Sequence, residues 1–165
     1  MENIFKDFEQ TLIKIKKLID QKKYTLSTAE SCTGGLLSGF FTAIAGSSTF
    51  FQSSIVAYSN YQKENLLKID GEIIRKFGAV SEECANEMAK NIKRLTNSDI
   101  AISTTGIAGP DGGTEDKPVG TVYSTIIVKE ELHSYKFQFS GERNQIRLKT
   151  VNEILNKLSD IIEKI

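Results

Sequence analysis

Two potential nucleophiles, Ser31 and Cys32, lie side by side in the segment AESCTGG, residues 29–35. A hydroxyl or thiol attacks a carbonyl carbon well only when a base accepts its proton. The sequence contains one histidine, His133, in the charged segment EELHSYKF, and we expect it to be an exposed strand residue far from Ser31. Mechanisms with a histidine base are therefore disfavoured, and a buried lysine is the remaining familiar base.

Lys63 is the lysine whose position fits this role. It follows the segment VAYSN at the end of a predicted strand, and Tyr58 of that segment could relay or orient a proton. In an open α/β sheet, the loops that follow parallel strands meet at one edge, so AESCTGG and YSNYQK would open together. Most lysines lie on a solvated helix face, and Lys63 is selected by its position rather than by its type.

The backbone of the nucleophile segment could bind an anion. If a strand passes into a helix here, the N–H groups from Ser31 to Gly35 would face the crevice at the positive end of the helix dipole. Such a place suits an oxyanion or a phosphate. The structural alternative is equally good from these residues alone: Ser31 or Thr33 caps the helix, and Gly34 and Gly35 allow close packing.

Two later segments could hold a ligand. The loop GIAGPDGGTEDKP follows a strand ending in Thr104 and Thr105, but matches neither GxGxxG nor GxxxxGK(S/T). Its length and position make a ligand-holding loop at least as good an interpretation as a flexible turn. In GERNQIR, Arg143 and Arg147 lie four residues apart, which suits a phosphate or carboxylate. A surface pair within one helix is the simpler interpretation of these arginines by themselves.

The composition limits the partners that we expect. The chain has 165 residues, and its 21 basic and 21 acidic residues balance to a net charge of 0, so nothing indicates a nucleic-acid partner. The first twenty residues do not resemble a signal peptide, and no segment is apolar enough for a membrane span. Cys32 and Cys84 form no CxxC pair and are expected to be free thiols of a cytoplasmic protein. We expect one domain over residues 1–165, with no metal and no cofactor.

The hydrophobic patterns predict alternating helices and strands. An amphipathic helix carries Phe5, Phe8, Leu12, Ile15 and Ile19. The predicted strands cover residues 24–28, 54–60, 99–106, 119–128 and 134–140, and the last two form a hairpin. The further helices begin near Thr33, cover residues 61–69 and 71–78, follow an N-cap at Ser81, and end the chain from about Ile146 to Ile162. This order predicts an α/β fold: a three-layer α/β/α sandwich on a mixed, mostly parallel sheet.

Taken together, the motifs resemble those of the CinA C-terminal domain family. The matching segments are AESCTGG, AGSS, VAYSN followed by Lys63, GAVSEE, TGIAGPDGG, KPVGTV and FSGERNQIR, and they cover about Thr25 to Arg147 in the family's order. The match is nearest to stand-alone members, the PncC-type nicotinamide-nucleotide amidases. The resemblance implies a mixed five-stranded sheet and deamidation of nicotinamide mononucleotide (NMN) to nicotinate mononucleotide and ammonia.

The resemblance also implies roles for individual residues. The family's serine nucleophile corresponds to Ser31 and its lysine base to Lys63, with Tyr58 assisting. Contacts with the substrate are expected from the nucleophile segment, the glycine-rich loop and the arginines: Glu30, Cys32, Thr33, Gly34, Gly35, Thr105, Gly106, Gly109, Arg143 and Arg147. We prefer Arg147 for the phosphate, with Arg143 as the alternative.

Some features depart from the family pattern or stay open. Ser53 and Ser54 stand where members often carry glycine, which could alter packing or pocket width. Larger relatives carry an N-terminal domain associated with a pyrophosphatase activity, which we expect to be absent here. One alternative makes Cys32 the nucleophile, and another is an inactive nucleotide-binding or regulatory module. The terminal helices could cover the sheet or pair with another subunit, so a homo-oligomer stays open.

Overall fold

The computed structural model describes residues 5–165, in which a five-stranded sheet lies between two layers of helices. The strands are β1 (Leu26–Glu30), β2 (Phe51–Val56), β3 (Ile100–Gly106), β4 (Thr121–Val128) and β5 (Glu131–Gln138). The helices are α1 (Glu9–Lys22), α2 (Leu36–Thr42), α3 (Asn60–Asn65), α4 (Gly71–Phe77), α5 (Glu82–Thr96) and α6 (Arg143–Lys164). The predicted fold class is confirmed. The predicted domain also includes residues 1–4, which lie outside the described residues.

The strand order is β2-β1-β3-β4-β5. Strand β1 pairs in parallel with β2 and β3, whereas β4 is antiparallel to both β3 and β5. Four strands therefore run in one direction and β4 runs against them, as the mostly parallel prediction expected. At the carboxyl end of β1, Glu30 is in register with Val56 of β2 and Thr104 of β3. The segments that leave these three strands consequently meet at one edge of the sheet.

Each face of the sheet buries its own apolar cluster. Residues of α1, α2 and α6 cover one face, and residues of α5 with Leu67, Ile69 and Ile74 cover the other. Strand β3 serves both, because Ile102 faces the first cluster and Ala101 the second. The two terminal helices thus pack on one face of the same sheet, one of the arrangements that the sequence left open.

Strand β2 lies earlier than its sequence pattern indicated. The prediction covered residues 54–60, but the strand ends at Val56. The Ser59 side chain accepts a hydrogen bond from the Gln62 N–H and caps α3. This capping converts the polar end of the apolar run into a loop and helix start. Helix α3 is also shorter than predicted and ends at Asn65.

The late hairpin and the helix caps agree better with the sequence. The turn between β4 and β5 contains Lys129 at φ 55°, and two strands separate β5 from β1. His133 is a β5 residue, as predicted, but it is half-buried rather than exposed. Gly78 ends α4 and Ser81 caps α5, which confirms both predicted caps.

Three general properties bear on partners and ligands. Among residues 5–165, no helix combines the length and the apolar character needed to cross a membrane. The same residues hold no group of three or more His, Cys, Asp or Glu side chains arranged to hold a metal ion. Cys32 and Cys84 are both free thiols, as predicted, and both are buried.

Candidate active site

Ser31 is the first residue after β1, at the edge where three strand ends meet. Its backbone N–H donates to the Thr104 carbonyl of β3 at 2.9 Å, and the Glu30 carbonyl accepts from the Ala57 N–H at 2.9 Å. These bonds fix the serine between the two neighbouring strands. Its side chain lies at the surface of the core, since the residue is 8% exposed.

Lys63 reaches Ser31 from the short helix α3. Its Nζ lies 3.0 Å from Ser31 Oγ and donates to the Ala57 carbonyl oxygen at 3.1 Å. The residue is 2% exposed, although it carries an amine. The structure therefore brings together the serine and the lysine that the sequence selected, 32 positions apart.

The surroundings of Lys63 favour its neutral form. Burial lowers the pKa of the amine, and the nearby Cys84 and Cys32 thiols oppose this shift only in part. Lys63 takes part in none of the ion pairs among the described residues. A neutral amine can accept the Ser31 hydroxyl proton while it donates to the Ala57 carbonyl. This is the arrangement that a serine–lysine pair requires.

Cys32 is less suited than Ser31 to act as a nucleophile, because the Lys63 amine contacts the serine oxygen and the thiol is buried. Its side chain packs in an apolar cluster with Ala108, Val122 and Ile146. Burial raises the pKa of the thiol to about 12, despite a lowering contribution from the backbone N–H groups of Cys32 and Thr33. At neutral pH the thiol is therefore held in its protonated form. The attacking thiolate is therefore scarce.

The backbone N–H groups of the nucleophile turn are divided between two uses. The Gly34 N–H donates to the Ser31 carbonyl at 3.0 Å, and the Gly35 N–H donates to a Glu30 carboxylate oxygen at 3.0 Å. Those of Cys32 and Thr33 donate to no oxygen atom among residues 5–165. An N–H directly after a nucleophile is a common oxyanion donor. Of the N–H groups from Ser31 to Gly35 that the sequence offered as donors to an oxyanion, those of Cys32 and Thr33 are therefore the remaining candidates.

Glu30 is buried, and its side chain is engaged within the protein. Both carboxylate oxygens accept hydrogen bonds, from the Thr33 hydroxyl and from the N–H groups of Gly35, Leu37 and Ser38. The first N–H groups of α2 are therefore occupied, and the positive end of this helix does not face a ligand as the sequence suggested. The prediction that Glu30 contacts substrate stays untested, and such a contact would have to displace these bonds.

Arg143, Arg147 and Tyr58 surround the outer part of the site. Arg143 donates to the Gly109 carbonyl at 2.7 Å and to the Tyr58 hydroxyl at 2.5 Å. Arg147 donates to the Thr33 carbonyl at 2.7 Å. A Cβ placed on Gly34 would lie 3.7 Å from the Arg147 guanidinium and 3.9 Å from the Tyr58 ring. Both guanidinium groups thus face the loops around Ser31, whereas the simpler interpretation from the sequence had placed the two arginines as a pair on the surface of one helix.

Neither arginine is neutralised by a carboxylate in the described part of the chain, since their recorded acceptors are carbonyl, hydroxyl and amide oxygens. Two uncompensated guanidinium groups on one helix form a site of positive potential. Tyr58 is 58% exposed, and its hydroxyl oxygen accepts a hydrogen bond from the Arg143 guanidinium. An anion binding here would meet the cations and the tyrosine together.

The remaining residues selected from the sequence lie at the end of β3 and in the glycine-rich loop. Thr105 is buried, and its hydroxyl donates to the Ala79 carbonyl at 2.7 Å. Gly106 packs against β4, because a Cβ there would lie 2.8 Å from the Thr121 carbonyl oxygen. Gly109 presents its carbonyl to Arg143. Their predicted contacts with substrate stay predictions.

Three neighbours of the Ser31–Lys63 pair were not identified as site residues from the sequence. The Ala57 carbonyl anchors the Lys63 amine, the Thr104 hydroxyl lies 2.7 Å from that of Thr33, and the Cys84 thiol lies near Lys63. Burial raises the pKa of Cys84 to about 11. The place of Thr104 beside the site could have been inferred from the predicted strands, because the parallel pairing of β1 with β3 places it opposite Glu30. The other two depend on tertiary packing.

The chain resembles known proteins over most of its length. The family model described as the CinA C-terminal domain matches residues 9–162. The chain belongs to the CinA C-terminal domain family. A CinA-like protein of Endomicrobium trichonymphae is 48% identical over 158 residues, which cover 95% of this chain and 37% of that protein. A putative competence-damage inducible protein of Clostridium perfringens (strain 13 / Type A) is 45% identical over 165 residues, covering 99% and 40%.

Solved structures of the family share the fold of this CinA C-terminal domain. The competence/damage inducible protein CihA of Agrobacterium tumefaciens superimposes with a TM-score of 0.89 at 36% identity, covering 92% of this chain and 93% of that one. A CinA superfamily protein of Klebsiella pneumoniae 700603 gives 0.91 at 29% identity, covering 94% and 98%. The chain spans about two fifths of the length of the curated relatives named above.

Proposed function

We propose that this CinA C-terminal domain hydrolyses the carboxamide of NMN to nicotinate mononucleotide and ammonia. The observation that carries the proposal is the 3.0 Å contact between the buried Lys63 Nζ and Ser31 Oγ. A serine in contact with a buried lysine is the core of a serine–lysine hydrolase. The product would return the pyridine ring to NAD synthesis, which makes the activity a step of pyridine nucleotide recycling.

The first half of the reaction forms an acyl-enzyme. Ser31 Oγ attacks the amide carbon, and its proton passes to the neutral Lys63 amine. The negative charge that develops on the amide oxygen is stabilised by the N–H groups of Cys32 and Thr33, which donate to no oxygen atom of the described residues. Such a donor is worth roughly 3–4 kcal/mol in characterised enzymes. Lys63, now protonated, gives its proton to the departing nitrogen. The C–N bond breaks, ammonia leaves, and the nicotinoyl group stays on Ser31.

The second half regenerates Ser31. A water molecule replaces ammonia and attacks the ester carbon, while Lys63 accepts a proton from the water. Collapse of this second intermediate breaks the bond to Ser31 Oγ, and the proton returns from Lys63 to the serine oxygen. The carboxylic acid formed in this step loses its proton to water, and nicotinate mononucleotide leaves as a carboxylate. No step in this scheme draws on a cofactor or a metal ion.

The ribose phosphate of NMN suits the cations at the mouth of the site. Arg143 and Arg147 can each offer parallel N–H groups to phosphate oxygens, because a guanidinium has five donors. Tyr58 accepts a hydrogen bond from Arg143 and lies beside Gly34, so it would border the bound nucleotide.

Two free, buried thiols also support a cytoplasmic location, where thiols stay reduced.

The test is ammonia release from NMN, with nicotinamide and glutamine as control amides. We expect release from NMN alone. Ser31→Ala should lower kcat by at least about a thousandfold, because the nucleophile is lost. Cys32→Ala should stay within about threefold of wild type, because its thiol is protonated and takes no part.

Two outcomes would redirect the assignment. An active Ser31→Ala with an inactive Cys32→Ala would make the thiol the nucleophile. No ammonia from any of the three amides, in protein whose circular dichroism shows a folded state, would favour a nucleotide-binding or regulatory module. Binding of NMN measured by calorimetry would then identify its ligand.

A further inference from the structure

Glu30 carries a buried carboxylate for which the described residues supply no cationic partner. One oxygen accepts from the Thr33 hydroxyl at 2.6 Å and from the N–H groups of Gly35 and Leu37 at 3.0 and 3.1 Å. The other accepts from the Ser38 N–H at 2.8 Å. A carboxylate removed from water is tolerated only when such donors replace its hydration. The four donors all come from the turn and helix that follow Ser31.

The same network continues into β3. Because the single hydroxyl proton of Thr33 goes to Glu30, the Thr104 hydroxyl donates the 2.7 Å bond that links it to Thr33. The Thr104 carbonyl in turn accepts from the Ser31 N–H. Glu30 and Thr104 therefore hold the nucleophile turn from two sides, one through its helix and the other through its serine.

The fold of this turn determines which of its backbone N–H groups are used within the protein. Gly34 and Gly35 have φ values of 57° and 90°, which let the chain fold back so that α2 begins above the Glu30 carboxylate. Folding back brings the Gly35 N–H to Glu30, whereas the N–H groups of Cys32 and Thr33 donate to no described oxygen atom. The orientation of the turn thus decides which donors are left for a reacting oxygen.

We propose that Glu30 is a positioning residue: its carboxylate locks the turn so that Ser31 and the Cys32 and Thr33 N–H groups face the same reacting atom. The inference rests on the proposed function in taking Ser31 as the nucleophile and the Cys32 and Thr33 N–H groups as donors to the reacting oxygen. It assigns Glu30 a role without contact to the substrate.

An amide cannot replace this carboxylate. The Glu30→Gln side chain has one oxygen and one NH2 group, so its NH2 must face either the Ser38 N–H or the three donors at the other oxygen. In either orientation the NH2 group would point at another hydrogen-bond donor in a buried position, and the turn would shift to relieve this contact. The size of the side chain is nearly unchanged, so packing is preserved.

A fluorophosphonate that labels activated serines tests the proposal without knowledge of the natural substrate. Ser31 Oγ displaces fluoride from phosphorus, and mass spectrometry of the adduct gives the rate. Glu30→Gln should label at least about tenfold more slowly, because an oxyanion also forms at phosphorus. With NMN, kcat should fall by at least about tenfold while KM stays within about threefold, as expected when only the transition state is affected.

Asp70→Asn is the matched control. Asp70 caps α4 through a 2.9 Å bond from the Glu72 N–H, so the change also converts a carboxylate to an amide at a helix start. Its labelling rate should stay within about twofold of wild type, because α4 carries no residue of the site.

If Glu30→Gln does not fold, the labelling rate of Thr104→Val tests the proposal instead, since this change removes only the outer hydroxyl of the network. This variant should label about threefold more slowly.

The outcomes separate this inference from the proposed function. Labelling of wild type without ammonia release from NMN would contradict NMN as the substrate. The labelling rate of Glu30→Gln would still decide the Glu30 proposal. Labelling of folded Glu30→Gln at the wild-type rate would overturn the proposal, as would an unchanged Thr104→Val rate if Glu30→Gln is unfolded. If wild type takes up no label, Ser31 is not an activated nucleophile, and the proposal that Glu30 positions it is overturned as well.

Discussion

At the scale of single residues, the candidate site combines a buried amine with a buried carboxylate that do not pair. Lys63 is directed at Ser31 and the Ala57 carbonyl, whereas Glu30 is directed at backbone N–H groups. If these two side chains formed an ion pair, the amine would be held in its charged form and could not act as a base. Keeping the Glu30 carboxylate away from the Lys63 amine is therefore a functional requirement of the proposed chemistry.

Lys63→Met should change the pH dependence of stability. Burial lowers the folded pKa of Lys63 below its usual 10.5, so between the two values the unfolded chain binds more protons than the folded protein. Wild type consequently loses stability as pH falls from 10.5 to the folded pKa, by up to about 1.4 kcal/mol per pH unit. The methionine side chain of the variant cannot titrate. Urea unfolding from about pH 10 to about pH 7 should show the variant gaining on wild type towards lower pH, and a constant difference would mean an unshifted lysine.

The two arginines can be separated by their effect on a phosphate. Arg147→Gln should raise KM for NMN by at least about tenfold, since a charge-assisted contact is worth roughly 1.5–3 kcal/mol. Its kcat/KM for nicotinamide riboside, which lacks the phosphate, should change little. Arg75→Gln on α4 is the control, because Arg75 is exposed and pairs with Glu72. A larger KM effect from Arg143→Gln than from Arg147→Gln would assign the phosphate to Arg143.

Residue-scale prediction from sequence succeeded where chain order alone decides proximity. Ser31 and Lys63 follow parallel neighbouring strands, so any sheet with β1 beside β2 brings them to one edge. The direction of the Glu30 side chain could not be predicted, because it depends on two left-handed glycines that fold α2 back over it. Its four bonds link residues at most eight positions apart, yet the amino-acid types alone do not indicate which way the turn folds.

At the scale of elements, the loop that carries Lys63 owes its shape to one hydroxyl. The sequence AYSN was consistent with a strand by residue type, since tyrosine and β-branched neighbours favour strands. The Ser59 side chain instead accepts from the Gln62 N–H at 3.2 Å and starts a helix. Because of this cap, Lys63 lies one turn into α3 and reaches back to Ser31. Local capping outcompetes strand propensity once the edge of the sheet is reached.

Ser59→Ala should therefore affect both stability and activity. Loss of an N-cap costs about 1 kcal/mol in the free energy of unfolding, and kcat should fall because α3 positions the base. Ser81→Ala is the matched comparison, since Ser81 caps α5 by the same kind of bond at 3.1 Å from the Cys84 N–H. It should cost a similar stability with a smaller effect on kcat. Equal losses of kcat in both variants would mean that α3 has no special role.

At the scale of the whole molecule, recognition of a charged substrate must be local. The net charge is 0, so the protein as a whole exerts no net attraction on an anion. Positive potential is concentrated at the start of α6, where two guanidinium groups face the nucleophile loop. Helix α6 also closes the apolar cluster on its face of the sheet through residues such as Leu158. The element that supplies the candidate substrate-binding cations is thus also fixed by the core.

The two apolar clusters should unfold together. They lie on opposite faces, but alternate residues of β3 belong to each, so neither cluster can separate without breaking the other. Leu158→Ala opens a cavity in the first cluster and Met88→Ala in the second, and each should cost about 2–5 kcal/mol. Urea unfolding followed by far-UV circular dichroism and by tyrosine fluorescence should give one coincident transition for wild type and for both variants. A second transition in either variant, or probes that disagree, would show that the two faces are separate cooperative units. In that case the site, which depends on strands β1 and β3 that contribute residues to both clusters, would lose its geometry before the remaining cluster unfolds.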